Sequence, residues 1–471
     1  MHYAGTSTST VPLAGTFTEL AGVQPLTWPP LDPQGQMDPP LSGGLIADLD
    51  GDGRAEVLVT QYRPSNTTLV YSYDGTRLVP STSVSLPQLY DAVAAAMDVD
   101  GDGNVDLLTS SSIYWGAGKG AFVPGQLPKQ VDGISAMWDV DNNGLVDLVV
   151  VSYCTPPVVL LQTAPRQFVA ATNVVAPAAN INANAGFVGV VDGRMLLGTI
   201  GFACGSDGSL DVPNFYARGA TSFEAVDLVP GLSFSNGAAM GATTGADLDG
   251  DGHLDLFVAL NPQHVLISNG RQTKQTFYDV VSPTGKAMIP WSTLFLDLDY
   301  DGRTDVLFTH GADSLYSDQV RGIGKQLTTA HRNGDHGFER FTSLGDLDRL
   351  GDWRILGVGD LDGDGDADLV VGGFGEDPHV YRNDTVGNGV ALRLLSARGV
   401  PAYGADLVLV ADTTQHLQVA GIATQREISE PLVFAGLGSA TSGQLSITWA
   451  SGATQVETVQ AGRLTTIRER N

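Results

Sequence analysis

The chain has 471 residues, and 52 Asp+Glu against 25 Lys+Arg give a formal net charge of −27, yet only 16% of it is charged and 42% is hydrophobic. That apolar content is enough for a core and rules out a disordered polyelectrolyte; the anionic balance disfavours nucleic acid, because like charge repels phosphate. No run approaches the roughly 18–20 apolar residues of a bilayer helix, and 58 Gly among short apolar runs point to an all-β chain with many tight turns.

Along the chain one segment recurs. It reads Asp48-Leu49-Asp50-Gly51-Asp52-Gly53-Arg54-Ala55-Glu56 and returns at Asp98–Asp106, Asp139–Asp147, Asp247–Asp255, Asp297–Asp305 and Asp360–Asp368. The first aspartates are spaced by 50, 41, 108, 50 and 63 residues. The 108-residue gap spans two periods, and Gly189-Val190-Val191-Asp192-Gly193-Arg194 in its middle reads as a unit that has lost its acids. Six intact units and one degenerate unit make seven. Each nonapeptide runs into a β-branched-rich segment such as Val57-Leu58-Val59 or Val306-Leu307-Phe308, which fits a buried strand. Most units carry a Phe that opens a strand upstream: Phe17, Phe122, Phe168, Phe223, Phe277 and Phe338. A period near 50 with several short strands per unit predicts a seven-bladed β-propeller, each blade too small to bury its own core.

The acids have a chemical reason. Positions 1, 3, 5 and 9 hold Asp48, Asp50, Asp52 and Glu56; Asp98, Asp100, Asp102 and Asp106; Asp139, Asp141, Asn143 and Asp147; Asp247, Asp249, Asp251 and Asp255; Asp297, Asp299, Asp301 and Asp305; Asp360, Asp362, Asp364 and Asp368. Position 6 is Gly in all six, and position 7 (Arg54, Asn104, Leu145, His253, Arg303, Asp366) offers a backbone carbonyl. Hard oxygen ligands without Cys or His select Ca²⁺, and the position-9 acid is expected to bind through two oxygens. An EF-hand fails, because it needs Glu at position 12, where this chain places strand residues such as Val59 and Phe308. Solvated turn acids are the plain alternative for one copy, and six copies in register weigh against it. Setting aside the 23 acids at these positions leaves 29 acids against 25 bases, so the charge excess is concentrated in the loops. About six Ca²⁺ sites are expected, with the Asn143 loop weakest and the segment at Asp192 empty.

These units resemble the FG-GAP or VCBS repeats of integrin-α-like propellers, over roughly residues 10–387. The remainder, 388–471, resembles an ASPIC/UnbV domain through Asn388–Leu394, Tyr403–Leu409, Phe434-Ala435-Gly436-Leu437-Gly438 and Trp449-Ala450-Ser451-Gly452, where Ala450 replaces the usual Pro. By pattern alone Gly443–Trp449 alternates with period two and reads as a strand of a small β domain. The combination is similar to the cartilage-acidic-protein-like family, and the resemblance implies an exported calcium-binding protein. Millimolar-range sites fill outside the cytoplasm, so a secreted or periplasmic location is expected. Met1-His2-Tyr3-Ala4 shows no export signal, which fits either its removal or its absence.

In such a propeller the calcium loops join the first and second strands on one face. The opposite face then carries Tyr90, Asp91, Asp132, Asn236, Trp291 and Trp353 on entry segments. Tyr62, Arg63, Tyr153, Phe202, Asn261, His310 and Phe374 lie on exit segments. Tyr90, Asp132, Tyr153, Asn261, Trp291 and Trp353 are the candidate ligand-binding residues; His310, Asp91, Tyr62 and Arg63 are candidate catalytic ones. Plain packing of the aromatics, and a loop role for His310, stand beside those readings. No catalytic motif appears in the sequence. A module that recognises a glycan, a protein or a small molecule is one function; an enzyme, a cyclisation catalyst or lyase at the central opening, is the other. Cys154 and Cys204 occupy near-equivalent positions in neighbouring units, so one disulfide or two buried thiols are both open.

Overall fold

The structure is a computed structural model. It describes residues 10–26, 41–62, 67–89, 93–128, 133–152, 155, 157–171, 185–191, 193–200, 214–219, 222–226, 228, 239–260, 264–268, 271–275, 289–311, 325–335, 337–420 and 427–470. Every regular element among them is a β-strand, and none is a helix. Tyr90, Asp91, Arg63, Asp132, Tyr153, Cys154, Asp192, Phe202, Cys204, Asn236, Asn261 and Phe277 lie outside the described residues.

Among the described residues the strands fall into seven four-stranded antiparallel units, the sixth carrying a fifth strand and the second and seventh joined within one nine-stranded sheet. The first runs Leu41–Ala47, Glu56–Tyr62, Thr67–Tyr73 and Leu78–Pro80. Its successors have the first-strand ranges Val93–Met97, Ile134–Trp138, Ala185–Val191, Ala239–Thr244, Ile289–Leu296 and Trp353–Gly359. Second strands are buried along their whole length at Asp106–Thr109, Asp147–Val150, Asp305–Gly311 and Asp368–Gly373. That is why they read as continuous apolar runs, with a neighbouring unit on each face. The first and seventh units pack together, so the series returns on itself in a β-propeller-like arrangement. Close approach there requires glycine: a Cβ on Gly372 would lie 2.3 Å from the Ser42 carbonyl oxygen.

The recurrent Phe residues belong to the outermost strands. Phe122, Phe168, Phe223 and Phe338 sit in the fourth strands of the second, third, fourth and sixth units, all buried. Phe17 opens Phe17–Glu19, which pairs with Glu376–Asn383 and supplies the fourth strand of the seventh unit. In the degenerate unit Val191 pairs directly with Arg194, so a tight turn replaces the acid loop.

Residues 389–468 form two further sheets, of three strands (Leu432–Gly436, Gly389–Leu395, Arg463–Arg468) and four (Thr414–Gln418, Asp406–Val410, Ser442–Thr448, Thr454–Gln460). Ser442–Thr448 alternates exposed and buried residues, as the period-two pattern predicts. Trp449 starts a turn in which the Gly452 N–H donates to its carbonyl at 2.8 Å. This tail lies on the acid-loop side of the seven units. Tyr403 stacks on Trp138 at 6.1 Å, and one continuous apolar cluster joins Met97, Trp138 and Phe257 to Val390, Tyr403 and Ile447. One tail strand goes further: Glu427–Ser429 pairs in parallel with Leu356–Val358, and Ser429 with Ala95. It therefore lies between first strands of the second and seventh units, against that of the first as well.

Candidate metal centres

Each of the six acid segments joins the first and second strands of its unit, as the repeat spacing predicts. Among the described residues six groups bring at least three acidic side chains together, with one oxygen of each within 4.8 Å of the others, and five of them lie in these loops. They are Asp48, Asp50 and Glu56; Asp98, Asp100 and Asp106; Asp139, Asp141 and Asp147; Asp247, Asp249 and Asp251; and Asp297, Asp299 and Asp305. The Asp360 loop is built on the same hydrogen bonds, with Asp362 and Asp364 beside Asp360 and Asp368.

Backbone amides fix the geometry. In four loops the position-1 carboxylate takes the N–H groups of positions 4 and 6, as Asp48 does from Gly51 at 2.8 Å and Gly53 at 2.9 Å, while Asp139 takes those of Asn143 and Gly144 and Asp297 that of Gly302. Position 5 accepts the position-7 N–H: Arg54 on Asp52, Asn104 on Asp102, Leu145 on Asn143, His253 on Asp251, Arg303 on Asp301 and Asp366 on Asp364. Positions 4 and 6 both stand at positive φ, for example Gly101 at 80° and Gly103 at 88°. The turn thus points side chains inward and satisfies their outer lone pairs.

The position-9 acid does more than the sequence expectation. Its Oδ2 or Oε2 takes the position-2 N–H in all six loops, at 2.6–3.0 Å. In four units its other oxygen takes an N–H from the third strand: Gly116 on Asp106, Gln162 on Asp147, Asn333 on Asp305 and Asn383 on Asp368. This acid clamps loop to strand. Burial drives these groups well above the ordinary carboxylate range: Glu56 and Asp147 to about 7, Asp106 to about 8, Asp305 and Asp368 higher in direction.

The residues fit a cation. Asp297 Oδ1 and Asp299 Oδ1 are buried without a hydrogen-bond partner in one loop, where an ion would supply the missing contact. All donors are hard oxygens, which suits a divalent cation of the alkaline-earth kind. Asn143 departs from the acid pattern because its amide donates to the Gln162 carbonyl at 2.8 Å, a bond that a carboxylate cannot make. Sequence reading missed two arginines. Arg332 pairs with Asp299 and Asp301, each at 2.6 Å, and Arg166, from the third unit, pairs with Asp100 and Asp102 of the second. Only the folded strand order brings these side chains to the loops.

The tail touches the loops directly. The Gly436 N–H donates to Asp297 Oδ2 at 3.0 Å, Gly438 N–H to the Tyr300 carbonyl at 2.9 Å, and Asp247 N–H to the His416 carbonyl at 3.0 Å.

At the opposite ends of the strands, several candidates converge on a residue that sequence reading passed over. Arg354 is 2% exposed, its guanidinium 3.8 Å from the Trp291 ring centroid and 4.3 Å from that of Phe374. It donates to Asp352 Oδ1 at 2.8 Å. Trp291 and Trp353 are buried and pack, Trp353 donating its indole N–H to the Arg349 carbonyl at 2.9 Å. His310, expected in a loop beyond the strand, is instead fully buried within Asp305–Gly311, its Nδ1 2.9 Å from the Leu327 carbonyl. Burial lowers its pKa to about 3, so it stays neutral and core-like. Tyr62 ends the second strand of the first unit.

A family model described as FG-GAP-like repeat matches residues 48–109 and 247–308, each stretch running from one acid loop through the next and into the strand behind it. The chain carries FG-GAP-like repeats. No curated protein matches the chain. Among solved structures, a biofilm matrix protein of V. cholerae is 13% identical, over 96% of this chain and 71% of that one, with a TM-score of 0.27. An exo-β-1,3-galactanase from Phanerochaete chrysosporium is 10% identical over 96% and 99%, with a TM-score of 0.32. A rhamnogalacturonan lyase from Bacillus licheniformis is 14% identical over 96% and 76%, with a TM-score of 0.26. At such scores the FG-GAP-like repeats, and not these neighbours, carry the reading.

Proposed function

We propose that the chain is a seven-bladed, calcium-loaded β-propeller that works as an exported binding module, secreted or periplasmic. Its ligand, a glycan, a protein or a small molecule, meets the face opposite the calcium loops. We read residues 388–471 as an ASPIC/UnbV domain and the whole as cartilage-acidic-protein-like, on the motifs quoted above. The observation that carries the reading is the polarity of the molecule: acid clusters and tail stand at one end of the strands, the Arg354 cluster at the other. Calcium's part is to neutralise the loop acids and hold first and second strands together. An enzyme at the central opening is the weaker reading, since Glu427–Ser429 lies between first strands of the second and seventh units and His310 is buried and neutral.

The test is a glycan-array and small-molecule screen in millimolar Ca²⁺, followed by hydrogen exchange on any hit. Protection of residues 309–311, 352–354 and 371–374 is the expected result. Protection confined to the loop face would sink the proposal. Calcium itself is tested separately: excess chelator should lower the melting temperature, and Ca²⁺ should restore it better than Mg²⁺.

A further inference from the structure

We propose a second binding site, for a small carboxylate-bearing ligand, in the cleft between the first two acid loops and the tail. The cleft encloses about 450 Å³, within the range of small-ligand sites. One wall is the backbone of the Asp48 and Asp98 loops; the other comes from the tail, with Arg393, Arg398 and Arg468, and Lys119 stands at the rim.

The state of these cations points to an anion. Arg393 is already satisfied, bridging to both oxygens of Glu430. Arg468 gives one N–H to the Ala397 carbonyl at 2.7 Å. Lys119 and Arg398, both exposed, have no hydrogen bond or ion pair among the described residues. Arg166, Arg332, Arg349, Arg354 and Arg382 all hold acids, whereas Lys119 and Arg398, which both line this cleft, hold none among the described residues. Lys119 is set there by its backbone: it stands at φ 53° between Gly118 and Gly120, both also at positive φ. Leu395 and Pro431 give the cleft apolar surface for a ring or a hydrocarbon face. A carboxylate on a unit of one or two sugar rings, or a free dicarboxylate, matches this chemistry.

The inference rests on the calcium reading in one respect. Asp48, Asp50, Asp98 and Asp102 also line the cleft, and filled loops would offset part of their charge. Ligand affinity should therefore require Ca²⁺. The experiment is isothermal titration calorimetry in saturating Ca²⁺ with digalacturonate and with succinate, against neutral galactobiose. One acidic ligand binding 1:1, about tenfold tighter than galactobiose, is expected, as is a loss of about tenfold or more in the Lys119→Ala/Arg398→Ala double variant. Digalacturonate binding alone assigns the cleft to uronate sugars, and succinate binding alone to free dicarboxylates. Equal binding of galactobiose, an unaffected double variant, or no binding by either acid overturns the proposal. Calcium-dependent melting of the same samples separates that failure from a failure of the calcium reading.

Discussion

Tyr300 shows how much of a loop is written in single residues. It holds position 4 of the Asp297 loop, where the other loops have Gly51, Gly101, Gly250, Gly363 and Asn142. Every one of those residues has positive φ, and Tyr300 shares it at 57°. A large aromatic pays about 1–2 kcal/mol to stand there. Its compensation comes from the seventh unit and the tail: Tyr300 is buried, receives an N–H from Asn383 Nδ2 at 3.1 Å, and closes against Gly387, Gly389 and Gly436. Tyr300→Gly relieves the backbone but empties that contact. The expected net loss is about 2–4 kcal/mol in urea unfolding, because the cavity term exceeds the strain relieved. A variant as stable as the parent would show that the tail does not depend on this pin. The sequence displayed the required glycine at position 6 and, less openly, the recurrence of Gly at position 4. What Tyr300 packs against was invisible, since Gly436 is more than a hundred residues away.

Among elements, legibility follows sequence separation. The second strands were readable because each follows its acid loop at once, as Val57-Leu58-Val59 follows Glu56. The partner of Phe17–Glu19 was not, because Phe17 pairs with Asn383 at the far end of the repeats. Glu427–Ser429 was harder still: three residues carry no periodicity, and their pairing with Leu356–Val358 is set by how the tail docks. The buried arginine of the opposite face, Arg354, gave no signal in a sequence where charge normally means solvent. Deleting residues 1–20 tests the N-terminal strand. It removes Phe17, fully buried, and bares the edge of Glu376–Asn383. The expected outcome is a lower melting temperature with concentration-dependent association, measured by scanning calorimetry and light scattering, because a bare sheet edge templates pairing between copies. A monomer that melts like the parent would show that this strand adds nothing to closure.

Over the whole molecule, the acid loops couple stability to pH, and on the proposed calcium reading the metal should act in the opposite sense. In the metal-free protein burial raises Glu56 and Asp147 to about 7 and Asp106 to about 8, with Asp305 and Asp368 also raised. Unfolded carboxylates titrate near about 4. Between those values the folded chain holds more protons than the unfolded one, so its stability falls as pH rises from about 4 to about 8. His310 acts the other way: its folded pKa of about 3 lies below the unfolded value, and it adds stability as pH rises towards neutrality. His310 opposes these acids, and the acids, to which Asp98 at about 6 and Asp360 at about 7 add, prevail. On the proposed calcium reading the slope should reverse, because a bound Ca²⁺ would hold the ionised carboxylates and compete with protons for them. In excess chelator the melting temperature should therefore fall steadily from pH 5 to pH 8. In millimolar Ca²⁺ it should hold level or rise, and the gap between the two curves should widen with pH. Scanning calorimetry across that range measures both. Parallel curves would show that the buried position-9 acids bear on folding alone and not on the metal.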